Sequence, residues 1–147
     1  MARLEVNGFD AVLGGLADLA DRVPELRNAI LDAEADVIEP AVLQALSANR
    51  LNRSGKLALS IGRKKGKAGG IPVIRIGPMG EHHRYMPSRG KNGIVTAGYV
   101  GYVYEYGLAR RKIRPRKWLS GAVASATGAA YRAADAVYDN YLKEHNL

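Results

Sequence analysis

Histidine is the residue type in this chain best suited to bind a metal ion or to transfer a proton near neutral pH. His82 and His83 are adjacent in a segment rich in Gly, Pro and charged residues, and His145 lies near the C-terminus. A zinc-type centre needs further ligands at regular spacing, and none follows this pair in a chain of 147 residues without Cys. We therefore predict no metal site and no cofactor.

Glu105 is the second candidate for chemistry, because it is one of two acidic residues beside the sixteen basic residues of segment 51–117. Acid–base catalysis would need a partner, and no second carboxylate is placed to share the work. No GxSxG or HExxH motif is present. An ion pair with Arg110 or Arg111 is the alternative interpretation. We favour this structural role and predict that the chain is not an enzyme and has no catalytic residue.

The glycine-rich basic segment 62–70, GRKKGKAGG, is similar to a phosphate-binding loop only in composition. Lys67 is followed by Ala68, whereas such a loop requires Ser or Thr at that position. The segment also precedes a predicted strand and not a helix. We therefore predict no nucleotide site here.

The net charge of +8 is unevenly distributed along the chain. Residues 1–50 carry nine acidic and four basic residues, whereas residues 51–117 carry sixteen basic and two acidic residues. This asymmetry indicates an anionic partner for the basic segment, or head-to-tail packing of copies through opposite faces. A solvated surface that keeps the protein soluble is the alternative.

Composition also excludes several classes of protein. Without Cys the chain cannot be a disulfide scaffold. No apolar run approaches the roughly 20 residues that a transmembrane helix needs, and the first residues lack the apolar stretch of a signal peptide. We expect no membrane contact and a protein that stays soluble in the compartment where it is made.

Hydrophobic periodicity predicts two amphipathic helices at the N-terminus, over residues 9–22 and 24–48. Pro24 is placed well as the first residue of the second helix. Pro40 lies inside it and should kink or break it near Glu39, because proline removes a hydrogen bond and clashes with the preceding turn.

Alternating apolar residues predict strands over 56–63 and 71–77, joined as a hairpin with a long, flexible basic tip at 64–70. An irregular loop is expected over 78–92, and a short third strand over 93–97. The four bases Arg63, Lys64, Lys65 and Lys67 therefore lie at or beside the tip, where they could contact phosphates or simply be solvated.

The last third of the chain predicts a short helix over 99–107 with Gly107 as its C-cap, a basic loop over 109–117, and a long helix over 115–142. The result is a single α+β domain over 1–147 with a small antiparallel sheet. Its parts are helical (1–50), sheet (51–98), and helix, basic loop and C-terminal helix (99–147).

The loop before the last helix carries a dense basic cluster, comprising Arg110, Arg111, Lys112, Arg114 and Arg116. Tyr106 and Trp118 flank it, and aromatic residues beside bases could stack on RNA. No recognisable RNA-binding signature accompanies them. Trp118 opens a helix, and we favour a core anchor for it.

Three separated segments together resemble one family, the neck and tail-completion proteins that join head to tail in tailed bacteriophages. The segment 52–61, NRSGKLALSI, is similar to the family's Asp-Thr-Gly-(Arg/Lys)-Leu-x-x-Ser. The segment 99–107, YVGYVYEYG, is similar to Tyr-Ala-x-Tyr-Val-Glu-(Phe/Tyr)-Gly, and 114–122, RPRKWLSGA, to Arg-Pro-Phe-Leu-x-x-Ala. The order of the flanking helices also matches.

The resemblance covers most of the chain, with departures. Asn52-Arg53-Ser54 stands where Asp-Thr is usual, Tyr104 is an extra residue before Glu105, and Arg116-Lys117-Trp118 replaces Pro-Phe. The positions that match the motifs are expected to be structural or interface residues: Ser54, Gly55, Leu57, Tyr99, Tyr102, Val103, Glu105, Gly107, Pro115, Trp118 and Leu119.

The resemblance implies a virion protein made in the bacterial cytoplasm, which forms a ring, hexameric in the family, at the head–tail junction. Its partners would be copies of itself, an adjoining neck or head-completion ring, the tail tube protein, and transiently the phage DNA that passes through the ring. The hairpin bases would face the lumen or dock to the adjoining ring. Glu105 would be a packing or ion-pair residue that faces Arg110 or a neighbouring subunit. The alternative is a basic, non-enzymatic nucleic-acid-binding module.

Overall fold

A computed structural model of the chain describes residues 9–51, 53–79, 84–85 and 95–145, with side chains at 23–51, 53–79 and 96–145. The fold is α+β, as the sequence predicts. Two long helices, α1 (Phe9–Ala48) and α4 (Trp118–Glu144), pack along each other. Between them in the chain lie two short helices, a β-hairpin and a pair of two-residue strands. No described helix is both long and apolar enough to cross a membrane.

Helix α1 is a single element of 40 residues, and the prediction of two helices is wrong. Pro24 lies inside it, and the helix also continues through Pro40 to Ala48. An internal proline costs roughly 3 kcal/mol in an isolated helix. Here Val42 and Leu46 are buried just after Pro40. Burying side chains of this kind stabilises a fold by about 1.5–3 kcal/mol each, which offsets the cost of the proline.

Helix α4 presents Ala122, Ala126 and Ala130 to the interior at four-residue spacing. Side chains this small allow α1 and α4 to approach closely, as the alanine-rich pattern predicts. The predicted helix over 115–142 is confirmed, although it begins three residues later, at Trp118. This long helix pair is the scaffold on which the other elements are placed.

Residues Lys56–Ser60 form a short helix, α2, where the sequence analysis predicts the start of a strand. Leu57 is fully buried whereas Leu59 is 71% exposed, so the two leucines do not share a face as they would in a strand. The buried positions of the helix are Leu57 and Ser60, three residues apart. Gly55 precedes the helix with φ 72°, a left-handed conformation that glycine adopts without steric cost.

The hairpin consists of β1 (Ile61–Ala68) and β2 (Ile71–Pro78), paired antiparallel from Ile61 opposite Pro78 to Ala68 opposite Ile71. The hairpin and its second strand are thus confirmed, but the long flexible tip at 64–70 is wrong. Gly69 and Gly70 alone form the turn, with φ 57° and 84°, as two-residue hairpins prefer. All four candidate bases therefore lie in β1.

Two short strands, β3 (Arg84–Tyr85) and β4 (Val95–Thr96), pair with each other and precede α3 (Ala97–Tyr106). Thr96 caps α3, since its hydroxyl accepts a hydrogen bond from Tyr99 N at 3.2 Å, and the helix ends at Gly107 as predicted. A short third strand is confirmed at Val95–Thr96. Most of the loop predicted over 78–92 lies outside the described residues.

A three-residue 3₁₀ turn (Ala109–Arg111) follows α3, and a β-bridge between Leu108 and Ile113 closes it. This turn takes up residues 109–111 of the basic loop predicted over 109–117, whereas residues 114–117 have no regular secondary structure. The largest core cluster lies where the short elements meet the long helices: Val42, Leu46, Leu51, Leu57, Ala97, Trp118 and Ala122.

Candidate functional site

The three segments that carry the family resemblance meet in this core. Leu57 of the first segment and Trp118 of the third belong to the same cluster of buried residues. The indole Nε1 of Trp118 donates a hydrogen bond to the carbonyl of Gly101, in the second segment, at 3.1 Å. Trp118 is thus a core anchor, as predicted, and its polar nitrogen is satisfied by α3.

Glycine at position 101 lets α2, α3 and β2 approach closely. A Cβ on Gly101 would lie 2.6 Å from Cγ of Pro78 and 3.5 Å from Cδ1 of Leu57. The first distance is shorter than any ordinary carbon contact. A larger residue here would push α3 away from Pro78 at the end of β2, whereas the approach to Leu57 is an ordinary van der Waals contact.

Glu105 joins α3 to the start of α4. Its carboxylate accepts hydrogen bonds from Leu119 N at 2.8 Å and from Ser120 N at 3.2 Å, and the residue is only 6% exposed. Helix α4 has no side-chain cap of its own, because Lys117 occupies the capping position in a left-handed conformation. Glu105 supplies the missing acceptor, and a negative charge at this helix end is favourable.

The predicted ion pair between Glu105 and Arg110 or Arg111 is not formed. A buried carboxylate beside unpaired amide groups gains more from them than from an exposed guanidinium, and Arg110 and Arg111 are both exposed. Glu105 therefore positions a helix, and its carboxylate is occupied by backbone donors.

Gly107 and Pro115 lie in contact at the end of α3. Gly107 has φ 79°, and a Cβ there would lie 2.7 Å from the carbonyl oxygen of Ile113 and 2.9 Å from Pro115 N. Both the backbone conformation and the space require glycine. The remaining motif residue of the first segment, Ser54, is exposed, next to the left-handed Gly55.

Two of the four hairpin bases form ion pairs with acidic residues of α1, which the sequence did not lead us to expect. Arg63 pairs with Asp36 (Nη1 to Oδ1, 2.7 Å) and with Glu39 (Nε to Oε2, 2.6 Å), and Lys65 pairs with Asp32 (Nζ to Oδ2, 2.7 Å). The side-chain hydrogen bonds to Asp36 and then Glu39 raise the pKa of Arg63 further above its ordinary value.

A spacing rule in the sequence could have identified these pairs. The three acids follow at four- and three-residue steps on one helix face, and Arg63 and Lys65 are two residues apart on one strand face. Part of the complementary charge assigned to contacts between copies is therefore satisfied within one chain. Lys64, on the other face of the strand, and Lys67 form no ion pair with any residue that the structure describes.

The basic cluster lies on the turn after α3, and all five of its residues are exposed. Arg116 donates through Nη1 to the carbonyl of Asn49 at 3.2 Å. No ion pair within the described part of the chain involves Arg110, Arg111, Lys112 or Arg114. These four residues, which we call the basic turn, remain available to a partner.

Tyr99, Tyr102 and Tyr106 are exposed to 50%, 59% and 67%, and lie on one side of α3 at steps of three and four residues. The rings of Tyr102 and Tyr106 contact each other, with centroids 4.8 Å apart. We call these three residues the tyrosine ridge. Tyr99 and Tyr102 were predicted only as motif residues. Their spacing with Tyr106, at three and four residues, could have predicted a shared face of the helix.

Within the described residues, no group of three or more His, Asp or Glu side chains could hold a metal ion. His82 and His83 lie outside the described residues. No family model, curated protein or solved structure matches the chain.

Proposed function

We propose that this chain is a structural, non-enzymatic virion protein of a tailed phage or prophage. It assembles as a ring at the head–tail junction, as a tail-completion (terminator) protein or a neck connector, and the genome passes through the ring. A hexamer is the stoichiometry that the resemblance implies. The observation that carries the proposal is the packing of the three resembling segments against one another around Leu57, Gly101 and Trp118.

This packing supports the proposal because the three residues are separated in the sequence, Leu57 from Gly101 by 44 positions and Gly101 from Trp118 by 17, and have no local reason to resemble one family in the same order. In this fold they depend on each other. Gly101 admits Pro78 and Leu57, Trp118 bonds to Gly101, and Glu105 caps the helix that Trp118 begins. A set of motifs that builds one core is the pattern expected of a shared fold and not of three chance matches.

The ion pairing of the bases in β1 is compatible with the passage of DNA. A ring lumen must pass DNA without retaining it, and each phosphate that a base contacts adds salt-sensitive affinity. Arg63 and Lys65 are neutralised by acids of α1, which leaves Lys64 and Lys67 as the unpaired bases of β1 within the described chain. If β1 faces the lumen, the contact with DNA is weak and transient; if it faces an adjoining ring, the same two lysines are the docking charges.

A second candidate, a basic nucleic-acid-binding module, is favoured by one observation. The basic turn is exposed and its four cations have no ion-pair partner within the described residues. Such a surface would bind DNA or RNA without sequence preference and with a steep dependence on salt.

Light scattering after size-exclusion chromatography, combined with negative-stain microscopy and a duplex-DNA shift assay at physiological salt, separates the two candidates. A closed ring that does not shift DNA supports the virion role and excludes the second candidate. A stable monomer that shifts DNA at that salt excludes the ring. Co-expression with the proteins encoded beside it adds a further arm, because a neck protein should co-purify with a connector or tail tube protein.

A further inference from the structure

The tyrosine ridge and the basic turn are close in the chain, and both are exposed. The ridge spans eight residues of α3, from Tyr99 to Tyr106, about 10 Å at the helical rise, and the basic turn begins at Arg110, three residues after Gly107. At half to two-thirds exposure the three rings present on the order of 300 Å² of aromatic surface, which is the size at which an exposed patch marks an interaction site. Tyr and Arg are also the residue types enriched at the centres of protein interfaces.

The shape of this surface favours a protein partner over a nucleic acid. Single strands are bound where flat aromatic faces line a groove and each base stacks on one ring. The rings of Tyr102 and Tyr106 instead contact each other with their planes inclined by 46°, so they do not present parallel faces to successive bases, and both lie exposed on α3. A convex ridge of this kind fits into a groove, and its cations require acidic residues at the rim of that groove.

This chain has a groove with those properties between α1 and α4. It encloses about 420 Å³, and its lining includes Glu25, Leu26, Ala29, Val137, Tyr141 and Glu144. Leu26, Ala29 and Val137 are apolar, whereas Glu25 and Glu144 are exposed acids. The hydroxyl of Tyr141 is buried without a hydrogen-bond partner within the described chain, which is unusual in a completed site. We call this groove between α1 and α4 the acidic groove.

The volume suits aromatic side chains. An apolar cavity of about 150 Å³ holds a benzene molecule, so a groove of 420 Å³ has room for two phenol rings of the ridge. The charges agree as well, since Arg110 and Arg111 would approach Glu25 and Glu144, which form no ion pair with any described residue.

We infer that the tyrosine ridge and basic turn of one copy dock into the acidic groove of a second copy. The inference rests on the proposed ring, because a ring requires two different faces on each subunit. The two faces lie toward opposite ends of the molecule. Trp118, at the start of α4, bonds to the helix that carries the ridge, whereas the groove lies near Glu144, at the end of α4, about 40 Å away along 27 residues. The contact is therefore head-to-tail.

Cysteine trapping tests this contact directly, because the chain has no cysteine of its own. Ala29→Cys places a thiol in the groove and Tyr106→Cys places one on the ridge, and the two singly substituted proteins are mixed and mildly oxidised. The matched control replaces Tyr106→Cys by Leu59→Cys, another exposed side chain away from both faces. We expect the groove–ridge mixture to form several-fold more disulfide-linked dimer than the control mixture. Equal yields would overturn the contact.

Two further measurements separate failure of the contact from failure of the ring. Rings seen by light scattering without groove–ridge cross-linking would overturn this interface and leave the ring proposal standing. Cross-linked open chains, when both cysteines are placed on one chain, would support the interface and contradict ring closure. The substitution Tyr102→Ala should weaken self-association by roughly tenfold or more. A monomer that binds single-stranded oligonucleotide through Tyr102 would overturn the inference in favour of a nucleic-acid ligand.

Discussion

At the scale of single residues, Glu105 links two helices, although its position in the sequence does not suggest this role. Its two carboxylate oxygens hold the amide groups of Leu119 and Ser120 and thereby join the end of α3 to the start of α4. An acid at a helix N-terminus gains both hydrogen bonds and a favourable interaction with the helix dipole. This buried charge, together with the hydrogen bond from Trp118 Nε1 to the Gly101 carbonyl, therefore holds the start of α4 against α3.

Substituting Glu105→Gln keeps one acceptor oxygen and removes the charge. We expect the free energy of unfolding to fall by about 1–2 kcal/mol, measured from urea denaturation midpoints. Glu144→Gln, at the exposed last turn of α4, is the matched control and should change stability by less than about 0.5 kcal/mol. Equal effects of the two substitutions would contradict the capping role.

Gly107→Ala tests the requirement for glycine at the end of α3. Both the positive φ and the 2.7 Å approach to the Ile113 carbonyl oppose a side chain, so we expect a loss of about 1–3 kcal/mol in thermal or urea unfolding. Gly121→Ala is the control, because Gly121 lies in α4 with open space around it. It should gain about 0.5–1 kcal/mol from helix propensity. A Gly107→Ala variant as stable as the parent protein would contradict the requirement for glycine at this position.

At the scale of elements, α2 and the hairpin show how one segment of alternating residues is divided between two structures. Leu57, Leu59 and Ile61 alternate as in a strand, yet the first two belong to a helix and the third begins β1. The hairpin then packs on α1 through half-buried Ile74 and Ile76 and through the pairs formed by Arg63 and Lys65.

Paired leucine substitutions measure whether residues 56–60 are helical. Leu57→Ala should cost about 2–5 kcal/mol, because the side chain is fully buried in the core. Leu59→Ala should cost less than about 0.5 kcal/mol, because its side chain is exposed. In a strand with both leucines on the core face the two losses would be similar, and urea unfolding of the two variants distinguishes these outcomes.

The pairing of the hairpin with α1 is tested by a double-mutant cycle on Lys65→Gln and Asp32→Asn. Both side chains are largely exposed, so the coupling energy should be small, about 0.2–1 kcal/mol, and should decrease toward 1 M salt. The cycle with Lys64→Gln and Asp32→Asn is the control and should show no coupling, because Lys64 lies on the other face of β1. Coupling of equal size in both cycles would argue against the described register.

At the scale of the whole molecule, the charges divide into those satisfied within the chain and those left for partners. The acids of α1 from Asp32 to Glu39 neutralise Arg63 and Lys65, whereas the basic turn and the acidic groove keep unpaired charges at opposite ends of α4. Such a molecule presents two different, complementary ends, which is the arrangement that head-to-tail assembly requires.

Substituting Arg110→Gln together with Arg111→Gln should therefore weaken self-association and leave folding intact. Both residues are exposed and unpaired within the described chain, so the unfolding midpoint should stay within about 0.5 kcal/mol of the parent. Sedimentation equilibrium measures the association, and Arg132→Gln, an exposed base on α4, is the control. Unchanged association in the double variant would argue against any assembly role for the basic turn.

The sequence by itself determined the features that depend on neighbouring residues. The hairpin, the end of α3 at Gly107 and the alanine-lined helix α4 were all predictable, because glycine conformations and apolar periodicity act within a few residues of chain. The anchoring role of Trp118 was predictable from its position at the start of a helix.

Only the tertiary structure decided the features that depend on distant partners. Burial of Val42 and Leu46 keeps α1 continuous through Pro40, and burial of Leu57 makes α2 a helix. The backbone amides at the start of α4 donate hydrogen bonds to Glu105. Acidic residues of α1 form ion pairs with Arg63 and Lys65. For Pro40, Leu57 and Glu105 the local preference is about as large as, or smaller than, the free energy of burial or of satisfying a buried polar group, so the partner decides the outcome. The ion pairs of Arg63 and Lys65 lie at the surface and depend on where the fold places β1 against α1.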